Sequence, residues 1–127
     1  MKLELKHLAP YLPYGLKAKF QSKNKKTCRK YVIGTISVMY SDCSICCYDT
    51  VNATPDQFKP LLHPKSIIND TWLSEVNCDL HEQFEIEDFV KNRIGFWDLS
   101  YNVLELLYSR HIDVFGLIDE GLALPLI

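Results

Sequence analysis

The sequence contains no run of apolar residues approaching the ~18–20 that a membrane-spanning helix requires, which argues against a chain built around helical membrane spans. Its opening, "MKLELKHLAP", carries charges where a secretory signal would hold an apolar stretch, so cytoplasmic residence is expected. A glycine-rich phosphate loop, a dinucleotide-binding fingerprint, a nucleophile elbow and a His-Glu-x-x-His helix are all missing, and with them the familiar marks of nucleotide-dependent, hydrolytic and zinc-protease chemistry. The five cysteines make an odd number, and in a reducing compartment they read as free thiols or ligands rather than a disulfide framework. At 47% hydrophobic and 24% charged residues the composition is that of a globular protein, not a disordered or fibrous one.

What remains is a chain of 127 residues, long enough to bury roughly two thirds of its unfolded surface around one core. A single domain over residues 1–127 is expected. Acidic residues are nearly absent from the first third: residues 1–41 carry nine lysines and arginines against Glu4 alone, a net of +8. The remainder carries five against fifteen acids, a net of −10, which together give the overall −2. Such asymmetry marks either a partner-binding face or two halves that attract each other within one fold, and the second is the preferred reading.

Pro10 and Pro13, three apart, preclude a regular helix and predict a turn-like entry ending at Gly15. "LKAKFQ" then alternates Leu16, Ala18 and Phe20 with Lys17, Lys19 and Gln21, the period of a strand with one wet face. "SKNKK" supplies a turn, and "CRKYVIGTISVMY" is rich in β-branched and aromatic residues, with Gly34 marking an expected bulge. A turn at "YSDCS" and a third strand in "ICCYDTV" complete a small antiparallel meander. Pro55, Pro60 and Pro64 predict an irregular connection, and residues 70–95 read as a short helix or as a strand followed by a helix. In "WDLSYNVLELLYSRH" the spacing of Leu99, Val103, Leu104, Leu107 and Tyr108 predicts a helix with one apolar face, capped by Asp98 or Ser100. Asp113 is expected to cap a second short helix, "VFGLIDE", ended by Gly121. The fold class is therefore α+β, an N-terminal antiparallel β-meander packed against C-terminal helices.

Three segments, "LAPYLPYGLK" at Leu8 to Lys17, "FKPLLHPKSI" at Phe58 to Ile67 and "HIDVFGLIDEGLA" at His111 to Ala123, together about a quarter of the chain, carry a likeness. On them the chain resembles short uncharacterised proteins encoded by phages and prophages of Bacteroidetes-type gut bacteria. The resemblance implies a phage accessory gene and no particular chemistry. At His63 the chain departs from the arginine of that pattern, and its cysteines stand outside it.

Four groups of residues are chemical candidates. Cys43, Cys46, Cys78 and His81 match C-x2-C followed by C-x2-H, thiolates and an imidazole being the ligands zinc prefers. Against this, Ile45 resists the positive φ of a metal-binding knuckle, and residues three apart on a strand point to opposite faces. The cysteines of "SDCSICCYDT" are better read as small apolar residues of a strand. Cys78 and His81 also fit a nucleophile and its base at i, i+3 on a helix, but no oxyanion donor can be placed around them, and a half-exposed thiol beside a surface imidazole is preferred. Lys17, Lys19, Lys23, Lys25, Lys26, Arg29 and Lys30 cluster on one hairpin near Tyr11, Tyr14 and Tyr31, a set suited to phosphates and stacked bases. The same lysines equally suit an edge hairpin that avoids pairing with other sheets. Finally, Glu75, Glu82, Glu85, Glu87 and Asp88 lie with Trp72 in a stretch, residues 70–90, that has no lysine or arginine. Acids steer a basic partner and aromatics hold it.

The expectation is a non-enzymatic accessory protein that needs no cofactor and binds a macromolecule, preferably a protein, through Trp72, Glu75, Glu82, Glu85, Glu87 and Asp88. A nucleic-acid-binding module on the basic hairpin is the alternative, and a small zinc-binding domain the third reading.

Overall fold

Prolines shape the entry of the chain. One turn of α-helix, α1 (Leu5–Leu8), passes into a 3-10 segment over Ala9–Tyr14 that carries Pro10 at its start and Pro13 within, and Gly15 at φ 72° ends it. The computed structural model describes residues 2–21, 31–39, 45–47, 52–53 and 58–126. From Gly15 the chain enters β1 (Lys17–Gln21), which pairs antiparallel with β2 (Tyr31–Met39). The expected alternation holds: Leu16 and Ala18 are buried and Lys17 is exposed. β2 pairs with β3 (Ile45–Cys47), and β3 with β4 (Asn52–Ala53), all antiparallel. Gly34 sits in regular register opposite Ala18, and the irregularity falls between Ile36 and Val38 instead, where Ser37 is the extra residue.

Part of the proline-rich connection, whose residues 54–57 with Pro55 lie outside the described residues, is a strand. Residues Phe58–Leu62 form β5 on the other edge of β1, with Phe58, Pro60, Leu61 and Leu62 buried. Pro60 removes one ladder donor, whereas the three apolar neighbours remove enough surface from water to hold the segment against the core. The C-terminus adds β6 (Leu124–Pro125), parallel to β5, so the strand order is β4-β3-β2-β1-β5-β6.

Residues 70–90 form two helices, each started by a side chain. Asn69 accepts the Trp72 N–H at 2.9 Å to open α2 (Asp70–Glu75), and Asp79 accepts the Glu82 N–H at 2.8 Å to open α3 (Leu80–Val90). The predicted helix near the C-terminus is α4 (Tyr101–Ser109), with Leu99, Val103 and Leu107 buried. All three are followed by a residue in the left-handed region: Asn77 (φ 53°), Asn92 (φ 58°) and His111 (φ 56°). After α3 and α4 the two backbone bonds that close a helix around such a residue are both made, Arg93 N to Asp88 O and Asn92 N to Phe89 O, then Ile112 N to Leu107 O and His111 N to Tyr108 O. The second short helix expected over "VFGLIDE" does not form. Gly116, at φ 74°, interrupts it, and the segment is a series of turns. Asp113 caps these turns through both carboxylate oxygens, which accept the Leu117 and Ile118 N–H groups at 2.9 Å each.

One buried cluster joins the two layers: Ala18, Phe58 and Leu62 from the sheet meet Ile86, Phe89 and Leu107 from the helices. The architecture is α+β, and no helix among the described residues is long and apolar enough to cross a membrane.

Candidate functional site

The segments at both ends and the middle of the chain are locked together by polar groups turned inward. The Tyr11 hydroxyl, fully buried, donates to the Ile112 carbonyl at 2.5 Å and accepts the Val114 N–H at 3.1 Å. The His63 N–H donates to the His111 carbonyl at 2.7 Å, and the Asp113 N–H to the His63 carbonyl at 2.9 Å. The His111 ring meets the Tyr14 carbonyl through Nε2 at 2.8 Å, so that nitrogen carries the proton. Burial raises the Tyr11 phenol well above its ordinary value. Burial, with His111 nearby, lowers the His63 imidazole. This junction is structural. It also removes Tyr11 from the set of aromatic residues expected to stack on bases, because the ring has no exposed face.

Helix α3 is arranged differently. Ile86 and Phe89 are buried, as a helix face packed on a core requires, but Leu80 and Phe84, one turn apart on another face, are 65% and 56% exposed. Next to them runs a groove of about 450 Å³ lined by His81, Phe84, Glu85, Asp88, Ile94 and Asp98 to Ser100. The Glu85 carboxylate accepts both the backbone N–H and the hydroxyl of Ser100, thereby tying α3 to the start of α4 and holding the groove's width. Ser100, the residue before α4, thus makes no cap of its own. Asp88 pairs with Arg93 at 3.4 Å in the open, a contact worth about 0–1 kcal/mol. The N–H of Glu82 holds the Asp79 carboxyl below the usual carboxylate range.

Of the predicted acidic surface, Glu82, Glu85, Glu87 and Asp88 lie together on α3, and Glu75 is exposed on α2. Trp72 is not the exposed anchor expected of it: it is half-buried and packs against the core. Among the described residues the exposed large apolar side chains are Leu80, Phe84, Trp97 at 74% exposure beyond the groove, and Tyr101 at the start of α4. Sequence pattern hid Leu80 and Phe84 because apolar residues on a helix are read as its inner face.

The remaining candidates are only partly described. Lys17 and Lys19 lie on β1, while Lys23, Lys25, Lys26, Arg29 and Lys30 fall outside the described residues. Cys43 falls outside them too, and the backbone at Cys46 is extended in β3. Cys78 is a free thiol, half-buried against the core, and burial pushes it above its ordinary value. His81 is exposed. Among the described residues no group of three or more histidine, cysteine or acidic side chains is placed to hold a metal ion. No family model, curated protein or solved structure matches the chain.

Proposed function

We propose that this chain is a non-enzymatic accessory protein, of the phage-encoded kind its three resembling segments imply, and that it binds a protein partner through the groove beside α3. The observation that carries the reading is the exposure of Leu80 and Phe84 on a helix flanked by acids and free of lysine and arginine. Solvent-facing apolar side chains rimmed by charge of one sign suit a docked segment of opposite charge with its own apolar anchor. The partner is accordingly a basic amphipathic segment: its apolar residues cover Phe84 and Ile94, and its lysines or arginines face Glu85, Asp88 and Asp98.

Capture of partners from a host lysate by the tagged chain tests this. Phe84→Ser, and separately Asp88→Lys, should each abolish capture of the same protein, and raised salt should weaken it. Capture that survives all three changes rules the groove out. Glu85 is left intact in this test because its bonds to Ser100 are structural. Nucleic-acid binding by the basic hairpin is the competing reading, for which a salt-sensitive oligonucleotide shift lost on reversing Lys23, Lys25 and Lys26 would be the sign.

A further inference from the structure

On the far side of Ile94 and Asp98 the groove continues into a second, larger cleft of about 790 Å³, bounded by residues 64–66, the end of α3 with its following turn, and the 113–119 loop. We infer that this cleft accepts an arginine side chain of the docked segment. The inference rests on the groove reading for its partner, but its chemistry stands on the cleft alone.

Four aromatic residues line the cleft, Phe89, Phe96, Trp97 and Phe115, of which Phe89 is buried. Phe96 stands edge-to-face with Trp97 at 5.1 Å and with Phe115 at 4.9 Å. Trp97 lies against Gly95, where an added Cβ would come within 2.6 Å of the indole, and the rest of the ring is open to solvent.

Of the cleft's two cations, Lys65 is held within the fold and Arg93 makes one exposed contact. Lys65 Nζ donates to the Phe89 carbonyl at 3.2 Å and the Asn92 side chain at 2.5 Å and sits 4.5 Å from the Phe89 ring centre. Arg93 is paired with Asp88. Among the acids, Asp113 is buried and uses both oxygens on backbone N–H groups. Asp98 accepts only a 3.3 Å contact from the Gly95 N–H, and Asp119 is exposed. What the cleft leaves unmet is therefore acceptor capacity beside open aromatic faces. A planar guanidinium satisfies both at once, stacking on a ring while its N–H fork meets a carboxylate, which a compact ammonium does less well. Because Ile94 and Asp98 line both cavities, a segment lying in the groove can reach the cleft with one side chain.

The test titrates the full isotope-labelled chain with N-acetyl-arginine methylamide and with its neutral isostere, N-acetyl-citrulline methylamide, by NMR. The arginine compound should shift the Trp97 indole N–H and the Asp98 and Phe115 amides saturably and bind at least ~tenfold more tightly than the citrulline compound, with N-acetyl-lysine methylamide between them. Trp97→Ala and Asp98→Asn should each erase that preference. Gly95→Ala, which displaces the indole without demanding a new backbone conformation, should weaken it while the amide spectrum elsewhere stays native. Equal binding of arginine and citrulline, or a preference that survives both Trp97→Ala and Asp98→Asn, overturns the inference. Phe84→Ser separates the two readings: it should leave the small compounds' shifts intact while abolishing capture of the protein partner. A positive arginine titration with capture insensitive to Phe84→Ser would retain the cleft and remove the groove.

Discussion

Tyr11 and Phe84 are both aromatic residues set among polar neighbours, and the fold treats them in opposite ways. Around Tyr11 the hydroxyl bonds the backbone of Ile112 and Val114, the backbones of His63, His111 and Asp113 bridge one another, and the Asp113 carboxylate holds the Leu117 and Ile118 N–H groups. Around Phe84 the Glu85 carboxylate binds Ser100 and Asp88 pairs with Arg93 near the surface, while the ring stays largely uncovered. The first region pairs its hydrogen-bonding groups within the protein, His63 Nδ1 excepted, which is buried without a partner, and so contributes to folding. The second leaves apolar surface uncovered beside acidic side chains, which is a poor way to stabilise a monomer and a good way to recognise another molecule.

If that contrast is right, the largest effect comes from the buried hydroxyl. Tyr11→Phe keeps the ring but orphans the Ile112 carbonyl and the Val114 N–H, both sealed from water. A loss of about 2–4 kcal/mol is expected in urea unfolding, because each abandoned buried group carries its desolvation cost. A loss below about 0.5 kcal/mol, the usual range of surface substitutions, would mean the junction is not the structural region.

Acid should act on the same side of the contrast. Burial lowers the pKa of His7, with Lys6 adding to it, and burial with His111 lowers that of His63. The His7 Nδ1 accepts the Glu4 N–H at 3.0 Å, so the folded state holds that ring neutral at this atom. Below pH ~6.5 the unfolded chain binds protons that the native chain resists, and stability therefore falls as pH drops from the ordinary histidine value toward the lowered native ones. Unfolding midpoints measured from pH 7.5 to 5.5 should decline. The His7→Gln, His63→Asn double variant should flatten the decline; an unaltered slope would show that these rings do not cause it.

A smaller effect distinguishes the two regions at positions of identical backbone geometry. Asn77 and His111 both occupy the left-handed region after a helix. At exposed Asn77, glycine relieves strain and should raise stability by about 0.5 kcal/mol. At His111 the same substitution also removes the Nε2 bond to Tyr14, so its sign should be negative. Matching signs in thermal unfolding would contradict the assignment of His111 to the structural junction. Least of all, Phe84→Ser should change stability by no more than about 0.5 kcal/mol; a large loss would place the ring in the core and withdraw it as a docking residue.

Much of the local structure was legible. The alternation of Leu16 and Ala18 with lysines specified β1, and the helical spacing of Leu99, Val103 and Leu107 specified α4. Prolines misled at β5, because a proline takes away one ladder bond but says nothing of the buried Phe58, Leu61 and Leu62 that hold the strand. The helix expected after Asp113 failed for a local reason, Gly116 at positive φ, although Asp113 itself does the capping predicted of it. The acidic face was visible as composition, yet the identity of its anchors was not: Trp72 turns inward and Phe84 outward. Helical periodicity alone assigns no such direction when apolar residues lie on more than one face.

Residue order alone was sufficient for the alternation of β1, the helical period of α4, the capping role of Asp113, and the separation of a basic first third from an acidic remainder. These depend on neighbours within one or two turns of chain. That β5 enters beside β1, that Tyr11 reaches across to Ile112, and that Phe84 and Trp97 flank adjoining cavities were settled by contacts between distant segments. Burial is shared among all the elements that meet at a core, and no short window of sequence contains them together.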